Sequence, residues 1–211
     1  MNSRRLALLL LAACLLLAAG PVTAKRIGGG QRADRLSGTA KADLIFGRQG
    51  NDLLRGKGGR DRLVGARGND RLLGGGGNDR LQAGEGTDVL RGGAGNDRGA
   101  GRAGDDDEAG GGGNDRLGGG ADEDDLSGEG GRDVLNGGAG IDVIDGGNGD
   151  DRLNGGADED ELTGGAGNDT INARDGSTDT IECGAGEDTV LVDDAEDGVV
   201  DCENVVLPSG V

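Results

Sequence analysis

From Gly29 to Asn172 the chain divides into sixteen consecutive nine-residue units without an insertion or a deletion. A strict period decides architecture before any single side chain does, because a nine-residue unit is too small to bury a face alone and must stack on its neighbours. Position six is Asp in all sixteen units and position one is Gly in fifteen, with Ala83 the exception. Position four is Gly in twelve units, and position eight is Leu or Ile in fourteen. The best-formed units read GGAGNDTIN (164–172) and GGAGIDVID (137–145). A disordered acidic linker would share this composition, but it would not keep Leu or Ile in phase with Asp over 144 residues.

Each column has a physical reading. Glycines at positions one and four, often joined by one at position two, are expected to supply positive φ and a sharp turn that leaves carbonyl oxygens facing a ligand. The Asp that closes the turn adds a hard anionic oxygen. The next three residues, as in Arg71-Leu72-Leu73, are expected to form a very short strand with its middle side chain inward. One unit is then a turn plus a strand, and the stack is an all-β solenoid. Carboxylate and carbonyl oxygens, with no nitrogen or sulfur beside them, select a hard cation, and flexible loops favour Ca²⁺ over Mg²⁺.

The pattern GGxGxDxUx, at this copy number, closely resembles the calcium-binding nonapeptide repeat of the repeats-in-toxin (RTX, hemolysin-type) family. The resemblance implies a right-handed parallel β-roll with two units per coil and several Ca²⁺ ions, each held between neighbouring loops on one edge. It pairs aspartates eighteen residues apart: Asp52 with Asp70 and Asp70 with Asp88 on one edge, Asp61 with Asp79 and Asp79 with Asp97 on the other. The metal ligands it implies are Asp52, Asp61, Asp70, Asp79, Asp88, Asp97, Asp106, Asp115, Asp124, Asp133, Asp142, Asp151, Asp160, Asp169, Asp179 and Asp188. Eight coils at a spacing of about 4.8 Å give a rod roughly 38 Å long.

Departures from the pattern carry their own expectations. Units 29–46 have Arg32 and Lys41 at position four. A cation there disfavours a calcium site, so these units read as a cap with Phe46 as an aromatic lid. Units 92–109 put Gly99 and Glu108 at position eight, and Asp105 to Glu108 crowd four acids together. That stretch reads as a hinge, an exposed extra cation site, or drift in a tolerant repeat. Asp122 and Asp158 replace the fourth glycine, which adds a carboxylate or weakens the turn. Arginine at position seven (Arg35, Arg62, Arg71, Arg80, Arg98, Arg116, Arg152) is expected to face solvent and offset neighbouring acids, with a docking stripe for a polyanion as the alternative.

After Asn172 the phase gains one residue, with Asp179 and Asp188 continuing the column. Thr189–Val192 and Val199–Leu207 are β-branched and read as two short strands closing the open end of the stack.

At the N-terminus, Arg4 and Arg5 precede the apolar run Leu6–Ala19, and Val22-Thr23-Ala24 offers small residues for cleavage. This reads as a secretory signal peptide. The run is shorter than the ~20 residues of a membrane span, and Leu11-Ala12-Ala13-Cys14 resembles a lipoprotein box but lacks a polar continuation. Cleavage near Ala24 leaves Cys183 and Cys202 as the remaining cysteines. In an exported chain such a pair reads as a disulfide, with two unpaired thiols as the alternative.

The expected organisation is a signal peptide (1–24), a linker with degenerate capping units (25–46), a calcium-binding roll (47–191) and a C-terminal cap (192–211). Typical family members carry a catalytic or pore-forming domain ahead of the repeats, and only four residues separate Ala24 from the first unit. The chain has no His, Trp or Tyr, and it carries 40 acidic against 22 basic side chains. There is no imidazole base, no stacking platform for bases or sugars, and no basic surplus for nucleic acid. The expected function is a secreted, non-enzymatic calcium-binding module with a structural or surface-interaction role. An extracellular adhesin or ice-binding surface is the alternative, followed by an accessory module of an enzyme, and any cell-surface or polysaccharide partner is left unidentified.

Overall fold

The computed structural model describes residues 24–193 and 198–207. Most of the expected signal segment, and residues 194–197 and 208–211 of the expected cap, lie outside the described residues. The described residues form twenty-one strands and no helix, from β1 (Arg26–Gly28) to β21 (Asn204–Val206). Odd-numbered strands make one parallel sheet of eleven and even-numbered strands another of ten. The chain therefore alternates between two facing sheets, two units per coil. Ten coils with one strand over exceed the eight expected, because pairing begins at β1 and runs on beyond Asn172.

Each regular strand is six residues rather than three. In β6 (Arg71–Gly76), Leu72 and Gly74 are buried and Arg71 is exposed, so positions eight and one of the following unit both face inward. Position-one glycines do not have positive φ; positions two and four do, as at Gly75 (φ 110°) and Gly77 (φ 112°). What marks position one is crowding, although Ala83 and Cys183 carry buried side chains there. A Cβ on Gly74 would lie 2.5 Å from Asp79 Oδ2 and 2.6 Å from the Gly92 carbonyl oxygen.

Position eight fills the interior with Leu and Ile. These form two clusters, Ile45 to Leu90 and Leu117 to Val192, interrupted where Gly99 and Glu108 stand. The interruption is not a hinge in the sheets. β10 (Asp107–Gly112) pairs in register with β8 (Val89–Ala94) and with β12 (Asp125–Gly130). On the other sheet β9 (Arg102–Ala103) is short, but Arg98 still bridges Arg80 and Arg116. Nor is Glu108 an exposed site, since it is 0% exposed.

Both ends depart from expectation. Phe46 is no lid, because position nine faces outward; its ring lies under the Arg26 guanidinium, 5.4 Å from centroid to carbon, while Ile27 and Leu36 close the core. At the other end, β18 (Thr180–Ala185) and β19 (Thr189–Val192) are ordinary rungs, and the segment after them splits into β20 (Gly198–Val200) and β21 on opposite sheets. The extra residue after Asn172 is taken up in the turn at Asp175–Ser177, so the spacing is nineteen at Glu161↔Thr180 and the register recovers. A Cys183–Cys202 disulfide, Cα–Cα 5.2 Å, ties β18 to the segment between β20 and β21.

Candidate metal centre

Each turn between strands carries its Asp inward at the edge of the roll, and eighteen-residue periodicity stacks these aspartates in two ladders. Along one, the Asp52 N–H donates to Asp70 Oδ1 (2.7 Å) and the Asp70 N–H to Asp88 Oδ1 (2.5 Å). Along the other, Asp61 donates to Asp79 Oδ1 (2.7 Å) and Asp79 to Asp97 Oδ1 (2.6 Å). The ladders pass the extra residue intact, through Asp160 N–H to Asp179 Oδ1 (2.9 Å) and Asp169 N–H to Asp188 Oδ1 (2.7 Å).

Only one oxygen of each carboxylate is used in this way. Oδ2 is buried without a hydrogen-bond partner in fourteen of the sixteen expected ligands, all but Asp160 and Asp179. A buried acceptor with no donor is costly, and a row of them fits a hard cation rather than an apolar core. Among the described residues no three acidic or cysteine side chains converge; each loop instead offers one carboxylate oxygen. The degenerate N-terminal units differ. Asp43 Oδ2 accepts from the Thr39 N–H (2.5 Å) and hydroxyl (2.9 Å), and Asp34 Oδ2 accepts from the Gly30 N–H (2.6 Å).

Titration follows the same division. Burial pushes Asp70, Asp106, Asp115, Asp142 and Asp151 up to about 6, more than the N–H bond from the preceding rung offsets. It pushes Asp79, Asp88, Asp124 and Asp160 up to about 7, with neighbouring rungs repelling as well. Burial also acts on Asp43, but the donors from Lys25 and Thr39 outweigh it and its carboxyl is held below the ordinary range. Burial raises Glu108 well above the usual range, with the charges of Asp106 and Asp124 adding to it. The N–H groups of Gly101 and Gly118 offset a part, without making a hydrogen bond of ordinary geometry.

These shifts fix a pH dependence. Between pH about 4 and about 7 the folded chain holds more protons than the unfolded one, so acid favours the metal-free roll in that window and alkali disfavours it. In chelator, far-ultraviolet circular dichroism is expected to show β-structure increasing as pH falls from 8 to 5, while calcium affinity falls over the same range because protons compete for the carboxylates. A metal-free chain that loses β-structure on this acidification would contradict the assignment of buried, unpartnered carboxyls.

Residues outside the expected ligand set also shape the turns. Position-five asparagines form a second ladder on the turns, as in Asn69 N–H to Asn51 Oδ1 (3.0 Å) and Asn114 N–H to Asn96 Oδ1 (3.1 Å). Asp122 and Asp158 keep positive φ (76° and 84°) and accept from the N–H groups of Gly104 and Gly140, so the turn is kept at both positions. Glu203 accepts the Asp188 N–H (3.0 Å) and so ends one aspartate ladder; its place just before β21, where every regular unit has Asp, was the available signal. Of the acid cluster, Asp107 forms a bidentate pair with Arg91 (2.8 and 2.6 Å).

The position-seven arginines are exposed as expected, and among the described residues none of them makes an ion pair with an acid. The ion pairs among the described residues are Arg67–Glu85, Arg91–Asp107 and Arg132–Asp150. Register places Arg62, Arg80, Arg98 and Arg116 on successive rungs of the odd-numbered sheet. Arg80, Arg98 and Arg116 line a groove of about 250 Å³ together with Arg60, Asn78, Asn96, Asn114 and the ladder aspartates Asp79 and Asp97.

No curated protein matches the chain. The family model of the RTX calcium-binding nonapeptide repeat (4 copies) matches it in overlapping windows, from residues 28–63 to residues 159–190. Among the described residues no helix is long and apolar enough to cross a membrane. With its parallel β-roll, its two aspartate ladders and matches spanning most of its length, the chain belongs to the RTX calcium-binding repeat family.

Proposed function

We propose that the protein is a secreted structural module whose roll folds on binding several Ca²⁺ ions, and that it is not an enzyme. The observation that carries this reading is the double row of buried Oδ2 atoms without partners. Stacked loops on one edge would hold each ion, through the aspartates from Asp52 to Asp188 and main-chain carbonyls of the glycine-rich turns. Bound calcium would neutralise rungs that otherwise repel and would join one coil to the next. The Cys183–Cys202 disulfide supports an oxidising, extracellular setting, as does the signal-like segment 1–24.

Asp79→Ala is expected to weaken the two sites that share its rung, lowering calcium stoichiometry in equilibrium dialysis. Asp43→Ala should leave the count unchanged, because Asp43 Oδ2 already has donors. Equal losses in the two variants would refute the assignment of ligands.

A surface-interaction role has its own observation in the unpaired arginine column on the odd-numbered sheet. An anionic polysaccharide fits it, with carboxylate or sulfate groups meeting guanidinium groups one strand spacing apart. Binding to such a polymer should weaken with salt and be lost in Arg80→Ser/Arg98→Ser/Arg116→Ser. Retention by the triple variant would exclude the groove.

A further inference from the structure

Glu108 breaks the aliphatic rule of position eight, and its carboxylate lies in the interior of the roll. It is 0% exposed, and neither Oε1 nor Oε2 has a hydrogen-bond partner. An uncompensated carboxylate in a core is strongly unfavourable. Room for it comes from Gly99, across the same coil, where a Cβ would lie 2.7 Å from Glu108 Oε2 and 2.8 Å from Leu117 Cδ2. The other oxygen faces Gly101. A Cβ there would overlap Asp106 Oδ2 and lie 2.9 Å from Glu108 Oε1.

In regular units the same position-one cradle adjoins a single carboxylate, as Asp79 does at Gly74. At Gly101 it adjoins two, and Asp106 Oδ2 is itself buried without a partner. The aliphatic clusters stop at Leu90 on one side and resume at Leu117 on the other. Among the described residues this is the level at which the core gives way to acid, and the paired change to Gly99 and Glu108 makes space for a charged head rather than leaving a void.

We propose that Glu108 and Asp106 form an additional, internal calcium site of the roll, with one ligand supplied from the core instead of from a loop. The inference rests on the calcium reading above and extends it to a residue outside the repeat pattern. Two carboxylates balance the charge of one divalent cation, and an enclosed site of this kind favours Ca²⁺ over Mg²⁺, which gives up its water reluctantly. The low dielectric of the interior strengthens the attraction between the ion and these two carboxylates relative to ladder sites at the edge of the roll, so this ion is the first to bind and the last to leave. The competing arrangement is a protonated Glu108 that holds no metal. Gln would then replace it without consequence for calcium.

The test is calcium titration calorimetry on the full chain, with Glu108→Gln and Glu108→Leu, and circular dichroism at saturating calcium to verify the fold. The wild-type chain is expected to show one site about tenfold or more tighter than the rest, insensitive to Mg²⁺. Each variant should bind one calcium fewer and lack that tight phase while keeping the β-roll spectrum. If Glu108→Gln does not fold, Glu108→Leu decides, since leucine continues the aliphatic column. Unchanged stoichiometry and affinity in folded variants would overturn this site alone; a wild-type chain that binds no calcium would overturn the wider reading with it.

Discussion

Chelation of calcium at pH 8 is expected to abolish most of the β-sheet circular dichroism of the full chain, and re-addition at a few millimolar to restore it. The interior offers one Leu or Ile per nine residues, while 50 glycines lose more entropy on ordering than any other residue would. Within each of the two rows, successive carboxylates also lie one strand spacing apart, about 4.8 Å, where unscreened charge opposes stacking. The free energy of metal binding is then part of the free energy of folding. A spectrum that is β-rich in chelator and unaltered by calcium would show that the apolar core and the ladders suffice alone.

The second large effect concerns the turns. Gly149, at position four, has φ 139°, and a Cβ there would overlap the carbonyl oxygen of Gly131 one coil earlier. Gly149→Ala combines an unfavourable backbone region with a collision against main chain that cannot swing aside, a cost of order 3 kcal/mol. In a protein of this size that lowers Tm by roughly 6–12 °C. Gly112 is the control: a Cβ on it meets nothing within 4 Å, so Gly112→Ala should leave Tm within about 2 °C. Equal Tm shifts in calcium for the two variants would mean that the stacking of loops is not the constraint.

Much was legible in the sequence because the repeat has no insertions: a nine-residue period with Asp at six and Leu or Ile at eight implies a stacked, all-β, cation-binding solenoid. The pairing of aspartates eighteen apart, implied by the family resemblance, matches the ladders from Asp52 to Asp169. Local pattern was less informative where a residue's role depends on the adjacent coil. Along the chain the position-one glycines look like turn residues, yet in the roll they sit in strands, and at Gly74 Asp79 Oδ2 and the Gly92 carbonyl of the next coil occupy the place of a Cβ. Phe46 read as a lid, yet alternation along its strand turns it outward to Arg26.

Glu108 and the arginines make the same point from opposite faces. On the sequence, Glu108 belongs to a run of four acids and looks solvated; in the roll that run is distributed among a turn, a ladder, an ion pair with Arg91 and the core. Seven arginines scattered at position seven become, on the odd-numbered sheet, four successive rungs. The period, the donor chemistry and the need to stack are readable along the chain, since those depend on residues within one unit. Which residues share a face, which oxygens lack a partner and where a side chain has no room emerge in the folded roll alone, because those depend on contacts eighteen residues away.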